Sequence, residues 1–175
     1  RGLTPNRYLE ERITGAILSE EEIADSASPA LGDIRRHMRI TGSKVRDSLQ
    51  KIISSPSYAK YLREPIITMR GDRYVVPVRS EYKNAIPGMV HDVSSSGGTF
   101  FIEPMQAVQA NNELRELLIQ EKKEIERILA ELSAEAASHR ETIAEDYDTL
   151  VALDVIFAKA QLSFSMKAMC PEVNT

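Results

Sequence analysis

From Met105 to Lys167 the chain has neither Gly nor Pro, and its apolar residues fall on one stripe. The first half reads Leu114, Leu118, Ile125, Ile128 and Leu132, with charged Glu121 inside it, and the second Ile143, Tyr147, Leu150, Asp154, Phe157, Gln161 and Phe164. Both series step by three and four, the spacing of one helix face. Pro104 sits where a helix starts and Pro171 where it has stopped. About 64 residues at roughly 1.5 Å each give on the order of 95 Å of helix, which implies an elongated rod. The second series lies one position later than a strict seven-residue repeat of the first. A straight helix drifts about 20° per heptad, so three to four heptads absorb most of one position. A continuous or mildly kinked helix therefore fits better than a helical hairpin, and Ala137–Thr142 offers no turn residue.

A second amphipathic helix is expected over Pro29–Ile53. Leu31, Ile34, Met38, Thr41, Val45, Leu49 and Ile52 keep near-heptad spacing, and Ser28-Pro29 reads as an N-cap followed by Pro at the first helical position. Ser54–Pro56 ends it, with short turns to follow. Residues 1–28 carry an irregular apolar pattern, in which Ala16–Leu18 and Glu22–Ala24 suit a short hairpin. Between residues 63 and 104 the period changes to two. Pro65–Arg70, Gly71-Asp72 and Arg73–Arg79 form a hairpin signature, with Gly-Asp suiting a primed turn. Pro77 cannot donate to a ladder, which calls for an edge or a bulge there. Met89–Val93 and Thr99–Ile102 add two strands. The fold class expected is mainly α with a small antiparallel β insertion. Its segments are an irregular N-terminal piece (1–28), an outgoing helix with short turns (29–62), a small antiparallel sheet (63–104) and a long returning helix (105–170).

Charge divides along the chain. Overall there are 22 Lys and Arg against 26 Asp and Glu, net −4, but residues 1–104 carry net +2 and residues 105–175 net −6. This is not the profile of a dedicated nucleic-acid domain, so any such contact must be local. The single cysteine, Cys170, argues against a disulfide framework and suits the cytoplasm. No apolar run approaches 18 residues, and no membrane partner is expected. The first residue, Arg1, reads as the start of an excised piece.

Several motifs invite chemistry. Ser94–Thr99 resembles a phosphate cradle, but no Lys follows Gly98 and a strand, not a helix, comes next. His91 and Asp92 beside Ser94–Ser96 suggest a hydrolase triad, yet adjacent strand residues point to opposite faces unless a bulge intervenes. His37 and His139 lack a second ligand at helical spacing, so no metal site is expected. Arg70-Gly71-Asp72 spells an adhesion tripeptide whose Gly-Asp a hairpin turn already explains. That leaves Arg63, Arg70, Arg73, Arg79 and Lys83, interleaved with Tyr74 and Tyr82, as candidates for phosphate contact without base readout. Edge-strand charge against aggregation is the competing explanation.

Residues Tyr61–Tyr82 (YLREPIITMRGDRYVVPVRSEY), Ile86–Pro104 (IPGMVHDVSSSGGTFFIEP) and Asn111–Leu117 (NNELREL) resemble the bacterial type-two MutS family, paralogues of the mismatch-repair MutS proteins. Asp25–Pro29 and Ala152–Ala160 are similar too, while Val93–Gly98 departs from the family's commoner Gln-Ser-Ala-Ser-Gly-Ala loop. The resemblance implies part of a core, lever arms and a reduced clamp. It also implies an ATPase using ATP and magnesium and an Smr nuclease domain elsewhere in a homodimeric protein, one that binds branched or duplex DNA and acts on stalled ribosomes. The motifs of neither enzyme domain occur in this chain, which is expected to be non-catalytic, with no cofactor of its own. A dimerisation or ribosome-docking module without a DNA grip is the alternative.

Overall fold

The structure, a computed structural model, describes residues 2–168. Its helices are α1 (Arg7–Ala16), α2 (Pro29–Ile53), α3 (Pro56–Ala59), α4 (Met105–Ser138) and α5 (Arg140–Met166). Between α3 and α4 run β1 (Thr68–Arg70), β2 (Arg73–Arg79), β3 (Gly88–Val93) and β4 (Thr99–Pro104). The chain divides into two compact units, Ala16–Ile128 and the residues up to Gly15 together with those from Leu129 onward.

In the larger unit α2 and α4 run antiparallel. The Ser28 hydroxyl donates to Glu124 Oε1 at 2.6 Å, Arg35 Nε to Glu121 Oε1 at 2.6 Å, and Thr41 Oγ1 to Glu113 Oε1 at 3.3 Å. As the α2 number rises, the α4 partner falls. The apolar stripe of α2 lies inward as its spacing requires, with Leu31, Val45 and Leu49 fully buried. Ser28 caps the helix by accepting from the Leu31 amide at 3.0 Å, and Pro29 occupies the first turn.

The four strands form one antiparallel sheet in the order β1-β2-β4-β3. Val76 and Val78 of β2 and Ile102 of β4 pack on Val45, Leu49 and Ile52 of α2 and Ala107 of α4. The small sheet thus takes its core from helical surface. Arg70 pairs with Arg73 across a two-residue loop, and Gly71 alone has positive φ (57°) there, the sign pattern of a II′ turn. Pro77 lies in a strand with neighbours on both sides, contrary to the expectation of an edge strand. The physical requirement is met locally. β1 pairs β2 only up to Val75, and at Pro77 the neighbour is the irregular segment Tyr61–Arg63. There the Arg63 amide donates to the Pro77 carbonyl at 2.9 Å and the Arg79 amide to the Tyr61 carbonyl at 2.9 Å. The expected small hairpin near the N-terminus reduces to a bridge, Ile17 to Ile23, with the Ala24 amide donating to the Ala16 carbonyl at 2.8 Å.

The smaller unit holds an element that the irregular pattern of residues 1–28 concealed. Helix α1 is capped by Asn6, whose Oδ1 accepts from the Leu9 amide at 3.0 Å, and Leu9 is buried. The long helical run is interrupted once. His139 has φ −103° and ψ 13°, its amide donates to the Ala136 carbonyl (3.1 Å), and the Ile143 amide donates to the His139 carbonyl (3.0 Å). The hydrogen-bond ladder passes through the interruption, and α5 has no buried residue. Ser138 Oγ donates back to the Glu135 carbonyl at 2.7 Å, a bond that loosens a helix. Arg12 ion-pairs with Glu135 before the interruption, and the Thr4 amide donates to the Asp146 carboxylate (3.0 and 3.2 Å) after it.

The seam expected on the second half of the run is exposed in this chain: Tyr147, Phe157 and Phe164 all face solvent. Helix α5 is also long and apolar enough to cross a membrane by length and composition, although Asp154 and Lys159 interrupt its apolar run. Each charge would cost about 2.5–3.5 kcal/mol at a bilayer centre. Cys170 and Pro171 lie outside the described residues.

Candidate nucleic-acid interface

Glu103, at the end of β4, is fully buried and ionisable. A lone buried carboxylate is costly, so its partners define the site. Arg73 Nη1 donates to both carboxylate oxygens at 2.7 and 2.9 Å, Asn111 Nδ2 donates to Oε1 at 2.8 Å, and His91 Nε2 meets Oε2. These partners come from β2, α4 and β3. Arg73 also donates through Nη2 to Asn112 Oδ1 at 2.6 Å.

Asn111 is fully buried too. Its carboxamide takes both backbone groups of Tyr74, accepting from the amide at 3.2 Å and donating to the carbonyl at 3.0 Å. Pairing between β2 and β4 begins only at Val76, so the side chain serves as a substitute strand where the ladder is missing. Among the described residues no buried side-chain nitrogen or oxygen lacks a partner.

A bulge makes the His91 contact. The register runs Val90 to Ile102 and then Asp92 to Phe101, leaving His91 as the extra residue. Even so, His91 and Asp92 take separate partners, Glu103 and Arg70. The Ser94 hydroxyl, for its part, accepts from the Thr99 amide at 3.0 Å and closes the turn. β3 approaches β4 so closely at Gly88 that a Cβ there would lie 2.2 Å from the Glu103 carbonyl oxygen.

The five sequence-derived cations occupy different situations. Arg70 ion-pairs through Nε with Asp92 Oδ2 at 3.1 Å, and its Cζ lies over the Phe101 ring, 3.7 Å from the centroid. Arg73 is 14% exposed and committed to the Glu103 network. Arg79 is exposed and donates from Nε to the Leu62 carbonyl at 3.2 Å. Lys83 sits 5.8 Å over the Phe100 ring. Arg63 is exposed, with its backbone amide alone engaged. Arg70 and Arg73 line one cleft of about 440 Å³ with Gly71, Asp72, His91, Asp92 and Arg115. Arg63, Arg79 and Lys83 do not line it.

Arg115, an exposed side chain of α4, is the cleft residue that sequence reasoning missed. It lies one turn beyond Asn111 on the same helix face, a spacing that would have flagged it once Asn111 was known to face the sheet. Glu103 and Asn111 were missed for another reason. Polar residues at a strand end and in the second turn of a helix read as solvent-facing until the tertiary contacts are known.

Away from the sheet, ion pairs brace α2 against its surroundings. Asp25 is held below its ordinary range by hydrogen bonds from Arg35 first and Arg39 second. Glu124 is lowered to about 2, chiefly by Arg127 and then by the Ser28 hydroxyl. Among the described residues no three metal-ligating side chains cluster.

No family model matches the chain. It is similar to proteins named Endonuclease MutS2: 51% identical over 172 residues to that of Acetivibrio thermocellus, and 48% over 172 residues to that of Ruminiclostridium cellulolyticum. It is 51% identical over 173 residues to that of Caldanaerobacter subterraneus subsp. tengcongensis. These matches cover 98 to 99% of the chain, which spans 22% of the length of the curated relatives it matches. At 48 to 51% identity over 98 to 99% of its residues, this chain matches one region of the type-two MutS family along nearly its whole length.

Proposed function

We propose that this chain is the non-catalytic lever and clamp region of a MutS2-type protein, and that its sheet contacts the phosphate backbone of DNA. The observation that carries this reading is the buried Glu103 network. It ties three elements around one carboxylate and holds a small sheet rigid while cationic side chains project from it. Arg63, Arg79 and Lys83 supply exposed cations, and Arg70 supplies one pre-oriented on an aromatic face. Arg73 presents the outer edge of a guanidinium anchored from behind. Such contacts position a duplex without reading its sequence. In the whole protein, α2 and α4 would carry the state of an ATPase to this sheet, with branched DNA and the ribosome as substrates to be compared.

A second reading, a packing module with no grip on nucleic acid, is favoured by the exposed apolar coat of α5. Binding of duplex DNA, a four-way junction and ribosomes at two salt concentrations separates the two. The clamp reading expects salt-sensitive binding that falls about tenfold or more when Arg63, Arg79 and Lys83 are all changed to Glu. Salt-insensitive self-association with no affinity for any of the three ligands would establish the packing module instead.

A further inference from the structure

We propose that the cleft between the β1–β2 turn, the β3 bulge and α4 is a phosphodiester-binding subsite, with Arg115 as its free cation and Asp92 as a built-in competitor. The inference rests on the nucleic-acid reading above and adds a residue and a control element to it.

Three guanidinium groups, those of Arg70, Arg73 and Arg115, line this cleft of about 440 Å³. Two are fixed before any ligand arrives. Arg73 is locked by Glu103 and Asn112, and Arg70 lies on Phe101 with Nη1 donating to the Met69 carbonyl at 2.8 Å. Fixing them in advance removes much of the entropy cost of ordering long side chains around an anion. Arg115 is different. It is exposed and, among the described residues, has no hydrogen bond, ion pair or ring contact.

Asp72 and Asp92 bring negative charge to the same cleft, and Asp92 holds Arg70 Nε at 3.1 Å. That is the position a phosphate oxygen would take on this guanidinium. The pair is an exposed one, with Asp92 50% and Arg70 36% exposed. Such pairs contribute about 0–1 kcal/mol, so a phosphate that also reaches Arg115 can displace the carboxylate. Asp92 thus supplies the cleft with an internal anion. When the cleft is occupied, Asp92 swings to solvent and the phosphate bridges β1 to α4. The bulge turns His91 onto Glu103, so the imidazole stands in the cleft wall with its Nε2 already engaged.

The test is titration of the 175-residue chain with a ten-base-pair duplex, and separately with inorganic phosphate, in wild type, Arg115→Ala and Asp92→Asn. Arg63→Glu/Arg79→Glu/Lys83→Glu is the comparison variant, and circular dichroism checks folding of each. Arg115→Ala is expected to weaken duplex binding three- to tenfold and to lower the salt slope by about one. Asp92→Asn, which removes the competitor, is expected to tighten binding several-fold, a gain that a merely structural role would not produce. If neither variant changes affinity while the comparison variant loses it, the subsite is refuted and the nucleic-acid reading stands. Absence of duplex binding by wild type overturns both. Equal perturbation of the cleft by inorganic phosphate and by duplex at the same concentration refutes a phosphodiester site and assigns the cleft to free phosphate.

Discussion

Replacing Asn111 by Ala removes three hydrogen bonds from the middle of the larger unit. The Tyr74 amide and carbonyl lose their partner at a gap in the ladder, and Glu103 Oε1 loses a donor at 2.8 Å. A stranded backbone group costs about 1–3 kcal/mol and a hydrogen bond to a charged group about 1.5–3 kcal/mol. Water entering the space left by the carboxamide recovers part of this, so the expected loss is about 3–5 kcal/mol. Asn111→Asp is isosteric but sets a second carboxylate beside Glu103. At an effective dielectric near 20, that repulsion is on the order of 5 kcal/mol at this separation. The introduced carboxyl would therefore have a raised pKa in the folded state. Its penalty is full at neutral pH and shrinks as pH falls through that raised value. Urea unfolding followed by tyrosine fluorescence measures both variants, since the chain has six Tyr and no Trp. Hydrogen exchange at the Tyr74 amide gives the local readout. Asn111→Ala within 1 kcal/mol of wild type, with the Tyr74 amide equally protected, would refute the substitute-strand role.

Gly88→Ala forces a methyl group to within 2.2 Å of the Glu103 carbonyl oxygen, so β3 must separate from β4; a loss of about 2–4 kcal/mol is expected in urea melts, with exchange rising first at β3 amides. Ser28→Ala removes the α2 cap and a bond to Glu124, and a loss of about 1–2 kcal/mol is expected in the same melts. Because Glu124 is lowered to about 2, its charged form stabilises the fold above its ordinary carboxylate range, and that contribution is lost as pH falls from about 4.5 toward 2. The thermal midpoint of wild type should accordingly fall toward that of Glu124→Gln over this window, with no such convergence between pH 6 and 8.

The elements with strong local chemistry were legible before any coordinates. Helix α2 begins at Pro29 because Ser28 caps it, and the β1–β2 turn closes on Gly71-Asp72 because Gly71 can take positive φ. Four strands and their antiparallel sense followed from period and loop length. Pro77 was read with the right chemistry and the wrong topology. Its constraint acts on one residue's neighbour, here Tyr61–Arg63, and not on the rank of a whole strand. Helix α1 escaped because its inward residues Leu9, Ile13 and Ala16 are diluted by Tyr8 and Leu18, which face solvent. The single interruption at His139 had no Gly or Pro to announce it, only a serine bonding back to its own helix. The candidate cations were visible as residue types. Which are committed inward and which project depends on Glu103 and Asn111, whose burial is decided by tertiary contacts that no local pattern encodes.

The central claim is that exposed cations on a rigid sheet meet phosphates. The salt dependence of duplex binding tests it most directly, measured for wild type and for Arg63→Ala/Arg79→Ala/Lys83→Ala. Wild type should show a clear negative slope of log affinity against log salt, and the triple variant should lose about two to three units of it at unchanged stability. Equal slopes for the two proteins would contradict the account.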